Sequence, residues 1–139
     1  MEKTKVVVDA SVIVKWFLEE EFSSEALKLR NDYVRGVITI AVPSLLEYEV
    51  LNALKYSGVY TVKELKEIGL ALNKYGFEVH ELEGKLKEYI IEVALKKNLT
   101  IYDASYIALA KQLNTILYTA DSELIDKFPS VAVHIKQYK

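Results

Sequence analysis

Val6-Val7-Val8 is an unbroken apolar run that stops at Asp9, and Ile38 to Val42 and Ile116 to Tyr118 repeat the pattern of short continuous hydrophobic stretches. A strand with one wet face alternates apolar and polar side chains. One without alternation is buried on both faces, as in a parallel sheet. Phe77 to Leu82 and Val131 to Ile135 alternate more, which places them nearer the sheet edges. Segments of helical pattern separate all five. Val12 to Leu18 is short and apolar. The segment Ser23 to Arg35 lines up Phe22, Ala26, Leu29 and Tyr33 on one face and closes at Gly36. Pro43 suits the first turn of a helix running to Tyr56, with Gly58 just past its end. Thr61 and Glu64 have the spacing of a capping box, and that helix should stop at Gly76. Leu86, Tyr89, Ile90 and Val93 mark the next helix, ending near Asn98. Ile101 to Leu113 is apolar nearly all round and should run through the core. Strands alternating with helices predict an α/β fold with a mostly parallel sheet and helices on both faces.

Composition narrows the class. The 139 residues fit a single domain, 1–139, with a core large enough to need no staples. The chain has no cysteine, which rules out a disulfide framework and a thiolate zinc site. The start, MEKTKVVVDAS, lacks the apolar stretch of a signal peptide, and no apolar run reaches membrane-spanning length. A soluble, cytoplasmic protein without membrane contact is therefore expected. The net charge of −2 excludes a polycation that coats nucleic acid, so any such contact must use a local lysine surface. The sequence contains no G-x-x-x-x-G-K, no G-x-G-x-x-G after a strand and no G-x-S-x-G. A phosphatase of the haloacid-dehalogenase type would also start from a strand-end aspartate, but it wants a second aspartate two residues on, where this chain has Ser11.

Four acids stand out against this background. Asp9 directly follows the first strand and Asp121 the Ile116–Ala120 strand, so both point to the carboxyl edge of the sheet, where ligands of such folds collect. Asp103 lies in the first turn of the helix that leads back to the second of those strands, where the macrodipole favours a carboxylate. Glu49 sits mid-helix beside Leu45, Leu46, Asn52 and Ala53, with Glu47 competing for the same role. Each has an ordinary alternative. Asp9 and Asp121 could be turn or cap residues, Thr100 to Asp103 has capping-box spacing, and Glu49 could be a surface acid. Convergence raises the chemical reading. Two carboxylates about 4 Å apart repel by roughly 4 kcal/mol at an effective dielectric near 20. A gathering of four is stable with a hard divalent cation among them, and some of its members should hold protons above their usual range. His80 and His134 fall in strand-like segments away from these acids and are expected to take no part.

The flanking residues are more specific. Val8-Asp9-Ala10-Ser11-Val12 with Lys15-Trp16, then Pro43 with Glu49-Val50-Leu51-Asn52-Ala53-Leu54, then Tyr102-Asp103-Ala104-Ser105-Tyr106 with Leu109-Ala110, then Thr119-Ala120-Asp121, resemble in order the PIN-domain family, and most of all its small VapC-type toxins. The resemblance spans essentially the whole chain. It implies a three-layer α/β/α sandwich and makes Asp9, Glu49, Asp103 and Asp121 an acidic quartet for Mg²⁺ or Mn²⁺, choosing Glu49 over Glu47. Ser11 and Thr119 fall where the family places supporting hydroxyls. Asn52, one turn beyond Glu49, is expected to orient it. The implied activity is metal-dependent endoribonuclease cleavage of RNA by the toxin half of a toxin–antitoxin pair. The implied assembly is a homodimer with a small cognate antitoxin. Two alternatives are a housekeeping RNA-processing nuclease with the same site and an idle PIN module serving as a scaffold. Lys15, close after Asp9, is the first lysine expected to meet RNA phosphate.

Overall fold

The computed structural model describes residues 3–139. Strand β1 (Thr4–Val8) leads into a short helix α1 (Ala10–Ile13) and a 3-10 turn at Val14–Trp16. There follow α2 (Ser23–Val34), β2 (Ile38–Pro43), α3 (Leu46–Ser57), α4 (Val62–Lys74), β3 (Glu78–His80) and α5 (Gly84–Lys97). Then come α6 (Ile101–Gln112), β4 (Leu117–Thr119), α7 (Ser122–Lys127), β5 (Ala132–His134) and a 3-10 turn at Ile135–Gln137. The five strands form one sheet in the order β3-β2-β1-β4-β5, and every neighbouring pair is parallel, where the sequence suggested mostly parallel. Among the described residues seven α-helices flank it as an α/β/α sandwich.

Burial follows the hydrophobic pattern. Val7 and Val8 of central β1 have no exposed surface, and the more alternating β3 and β5 are the two edges. Helix α6 is buried without interruption from Ala104 to Ala110, packs on β1 and β2, and carries α5 alongside it. Trp16, Tyr33, Tyr75 and Phe77 form an aromatic cluster tying α2 and the end of α4 to the β3 edge, with Trp16–Tyr75 centroids at 5.0 Å and Tyr33–Phe77 at 5.5 Å. The Trp16 indole donates to the Ala26 carbonyl at 2.9 Å and the Tyr33 hydroxyl to the Tyr75 carbonyl at 2.7 Å, so the polar ends of two of these rings are satisfied.

The strand order makes the fold a positioning device. From β1 the chain adds β2 and then β3 on one side, then crosses back to place β4 and β5 on the other. Right-handed crossovers put the helices of the two halves on opposite faces and leave a crevice where the order reverses, between β1 and β4. Asp9 and Asp121 stand at the carboxyl ends flanking that crevice.

Two boundaries differ from the sequence expectation. Pro43 ends β2 rather than opening a helix, and α3 starts at Leu46. The register of β2 with β1 ends at Ala41, while pairing with β3 continues to Pro43 opposite His80. The Ser44 N–H donates to the His80 carbonyl, so the N–H that Pro43 lacks falls on the side where no ladder bond is due. Phe22 precedes α2 in the left-handed region (φ 67°) and meets His134 edge-on at 5.0 Å, outside the helical face it was assigned to. Helix α7 has no counterpart in the sequence reading.

Candidate active site

Asp9 is both the N-cap of α1 and the most enclosed of the four acids, with 6% of its surface exposed. Two hydroxyls hold it. The Ser11 hydroxyl donates to Asp9 Oδ1 at 2.6 Å, the Ser11 N–H to the same oxygen at 3.1 Å, and the Thr119 hydroxyl to Oδ2. Each hydroxyl also accepts a backbone N–H from the end of β4, Ser11 from Ala120 across the crevice at 2.9 Å and Thr119 from Asp121 within its own strand end at 3.0 Å. The ends of β1 and β4 are thereby laced together across the crevice, with Asp9 at the knot. Asp121 in turn caps α7, accepting from the Glu123 N–H at 2.9 Å.

Asp103 lies half-buried in the first turn of α6, whose N-cap is Thr100; the Thr100 hydroxyl accepts from the Asp103 N–H at 3.0 Å. Its capping-box spacing is therefore used by the Asp103 backbone. Glu49 projects from α3, and its Oε1 accepts a 2.6 Å bond from the Tyr106 hydroxyl. Tyr106 is 1% exposed, and burial together with the Glu49 charge pushes its pKa far up, so it is a permanent donor. This residue was missed as a site residue because an aromatic on an all-round apolar helix reads as core. The signal available was its place three residues after Asp103, one turn along the same face. Asn52 is exposed and makes no hydrogen bond to Glu49 among the described residues, so the side chain in contact with Glu49 is Tyr106. Leu45, Tyr48, Glu49, Asn52 and Tyr102 line an open cleft of about 560 Å³.

The four acids sense one another in sequence. The Asp121 charge raises the proton affinity of both Asp9 and Asp103, and Asp103 raises that of Glu49. In all three raised acids, however, burial is the larger cause. It lifts Asp9 to about 6 against the lowering effect of Ser11 and Thr119, and it lifts Glu49 and Asp103 above the ordinary carboxylate range. Among the described residues, no three acids or imidazoles gather tightly enough to enclose an ion by themselves. The donor set is still all oxygen and anionic, with Glu49 on the wall of an open cleft. That suits a small hard cation which takes one or two carboxylates and keeps several waters.

Lys15, the candidate RNA contact, and the two histidines, expected to take no part, have other partners. Lys15 is 8% exposed with its ammonium 3.4 Å from Glu20, so RNA phosphate would have to draw it from that carboxylate. His80 is bonded to Glu78 at 2.7 Å, and His134 accepts from the Lys136 N–H at 3.0 Å. Among the described residues no helix is long and apolar enough to cross a membrane.

The fold that carries these acids on β1, α3, α6 and the end of β4 is placed by comparison with known proteins. The PIN domain model matches residues 6–129, and the chain belongs to the PIN domain family. Ribonuclease VapC3 of Pyrobaculum aerophilum is 33% identical over 132 residues, which span 91% of this chain and 97% of that protein. The crystal structure of PAE2754 from the same organism superposes with a TM-score of 0.66 at 28% identity, covering 97% of this chain and 93% of the other. A toxin–antitoxin complex from Klebsiella pneumoniae shares the fold, with a TM-score of 0.67 at 16% identity over 94% of this chain and 97% of that one.

Proposed function

We propose that this chain is a VapC-type endoribonuclease that hydrolyses RNA phosphodiester bonds with Mg²⁺ or Mn²⁺ held by Asp9, Glu49, Asp103 and Asp121. The observation that carries the reading is the linked set of four acids at the switch point of the sheet, on a chain similar over nearly its whole length to a protein named a ribonuclease. The cation supplies charge to neutralise the phosphoryl and leaving oxygens and lowers the proton affinity of an attacking water. The side chains do the rest. Ser11 and Thr119 fix the two oxygens of Asp9, and Tyr106 fixes one oxygen of Glu49. The half-buried Glu49 and Asp103 would complete the set that holds the ion, while the proton released as water attacks phosphorus passes to solvent and the P–O bond to the leaving oxygen breaks.

The same reading includes a small antitoxin and assembly as a homodimer. Beside the acidic cleft, Leu51, Val62, Leu65 and Gly69 of α3 and α4 line a mostly apolar groove of about 640 Å³, and Tyr48 and Asn52 border both. Tyr48 is 82% exposed and Val62 72%, the kind of surface a protein partner covers. A partner seated there would close the mouth of the cleft.

The test is cleavage of a panel of single-stranded and hairpin RNAs with Mg²⁺ or Mn²⁺, with excess EDTA, and with Asp9→Asn. Cleavage only by the unmodified protein and only with the ion is expected. Full activity in EDTA would refute the metal-dependent mechanism.

A further inference from the structure

A group of lysines gathers on one flank of the acidic site, and the cleavage chemistry makes no use of them. Lys96 and Lys97 end α5, Lys111 lies in the last turn of α6, and Lys127 ends α7. Two of them meet the Phe128 ring, Lys97 Nζ 5.8 Å and Lys111 Nζ 5.5 Å from its centroid. The ring itself is buried, with 7% of the residue exposed. Lys96, Lys97, Lys111 and Phe128 line a cavity of about 140 Å³, in which Glu92 is the single acid. Among the described residues none of these three lysines is in an ion pair. A cation–π contact at an exposed site returns only about 0.5–1 kcal/mol. With no carboxylate paired to them among the described residues, these ammoniums are open to an anion.

Lys127 joins this patch to the acids. Its ammonium donates to the Lys97 carbonyl at 3.0 Å and the Asn98 carbonyl at 3.4 Å and pairs with Glu123 at 3.0 Å. Its charge also reaches Asp103, whose proton affinity it lowers. Helix α7 starts beside Asp121 and ends beside Phe128, so about 9 Å of helix separates the acids from the patch. A strand of a few nucleotides spans that interval. Resting on the ribonuclease reading, we infer that Lys96, Lys97 and Lys111 around Phe128 form a phosphate-binding patch that holds the RNA backbone where it runs from the acids across α7.

The experiment titrates a labelled single-stranded oligoribonucleotide into an Asp103→Asn parent, which leaves RNA whole, at several salt concentrations. Lys97→Gln with Lys111→Gln keeps most of each aliphatic stem over Phe128 and removes two charges. Its affinity should fall and its log–log salt slope flatten by about 1.4, taking ~0.7 per single-strand phosphate contact. Lys28→Gln with Lys63→Gln, at exposed positions of α2 and α4, changes net charge equally and should leave the slope in place. Lys97→Arg with Lys111→Arg should retain it too, which guards against a fold defect in the glutamine pair. An unchanged slope in the glutamine pair, or an equal loss in the α2/α4 pair, overturns the patch. Saturable binding of inorganic phosphate there with unaltered RNA affinity makes it a small-anion site and overturns the RNA assignment. Unmodified protein that cleaves RNA while the glutamine pair binds it normally defeats the patch alone. Unmodified protein that neither binds nor cleaves any RNA defeats the ribonuclease reading, and the patch falls with it.

Discussion

Asp9 is held by donors on both of its oxygens and yet has its pKa raised to about 6, because enclosure outweighs the hydrogen bonds from Ser11 and Thr119. A carboxyl that binds its proton more tightly folded than unfolded stabilises the fold below its unfolded value, and that contribution is lost as pH rises through the folded one. Metal-free protein should therefore lose stability between about pH 4 and pH 6, by up to about 3 kcal/mol, and Asp9→Asn should flatten this dependence. Denaturant titrations in EDTA across that range check it, and an identical pH profile in the variant would count against Asp9 as the source. A second residue-scale prediction separates neighbours on α3. Glu47 and Glu49 are about 200° apart around the helix, so only one can face the cleft. Glu49→Gln should lose Mn²⁺ binding and cleavage while Glu47→Gln stays near the unmodified protein. Tyr106→Phe removes only the hydroxyl that fixes Glu49, and should weaken Mn²⁺ affinity roughly 10- to 100-fold with the fold intact. A Tyr106→Phe protein with unchanged metal affinity would reduce that bond to packing.

Among the elements, α4 is the clearest case of local chemistry setting a boundary. Thr61 and Glu64 close a reciprocal capping box, Thr61 accepting from the Glu64 N–H at 3.2 Å and Glu64 from the Thr61 N–H at 2.8 Å. Thr61→Ala should cost about 1 kcal/mol in a chemical melt and leave Mn²⁺ affinity unchanged, because the cap does not touch the acids. That box was legible because it lies within four consecutive residues, and α6 because its apolar run from Ala104 to Ala110 leaves no wet face. The edge positions of β3 and β5 followed from their alternation. Pro43 misled because its fixed φ and missing N–H suit a helix start and a strand end equally, and only the pairing with β3 decides between them. Helix α7 was illegible because six residues with one buried side chain, Leu124, carry too little periodicity. Asp9 and Asp121 could be found because strand ends mark them. The Glu49–Tyr106 bond joins residues 57 positions apart and leaves no local trace.

At the scale of the whole molecule, a domain with net charge −2 has little long-range attraction for RNA, so on the proposed reading binding comes from a cation at the acids and from local lysines. The all-parallel sheet with its switch between β1 and β4 sets Asp9 and Asp121 at adjacent strand ends, and the surrounding core of β1, β2 and α6 packs beneath them. The account stands on those acids acting together on one divalent cation. Calorimetric titration of Mn²⁺ into the metal-free protein and into Asp103→Asn tests this most directly. One saturable site in the unmodified protein, lost or weakened at least tenfold in the variant, is the predicted result. Equal affinity in both proteins, or no binding to either, would contradict it.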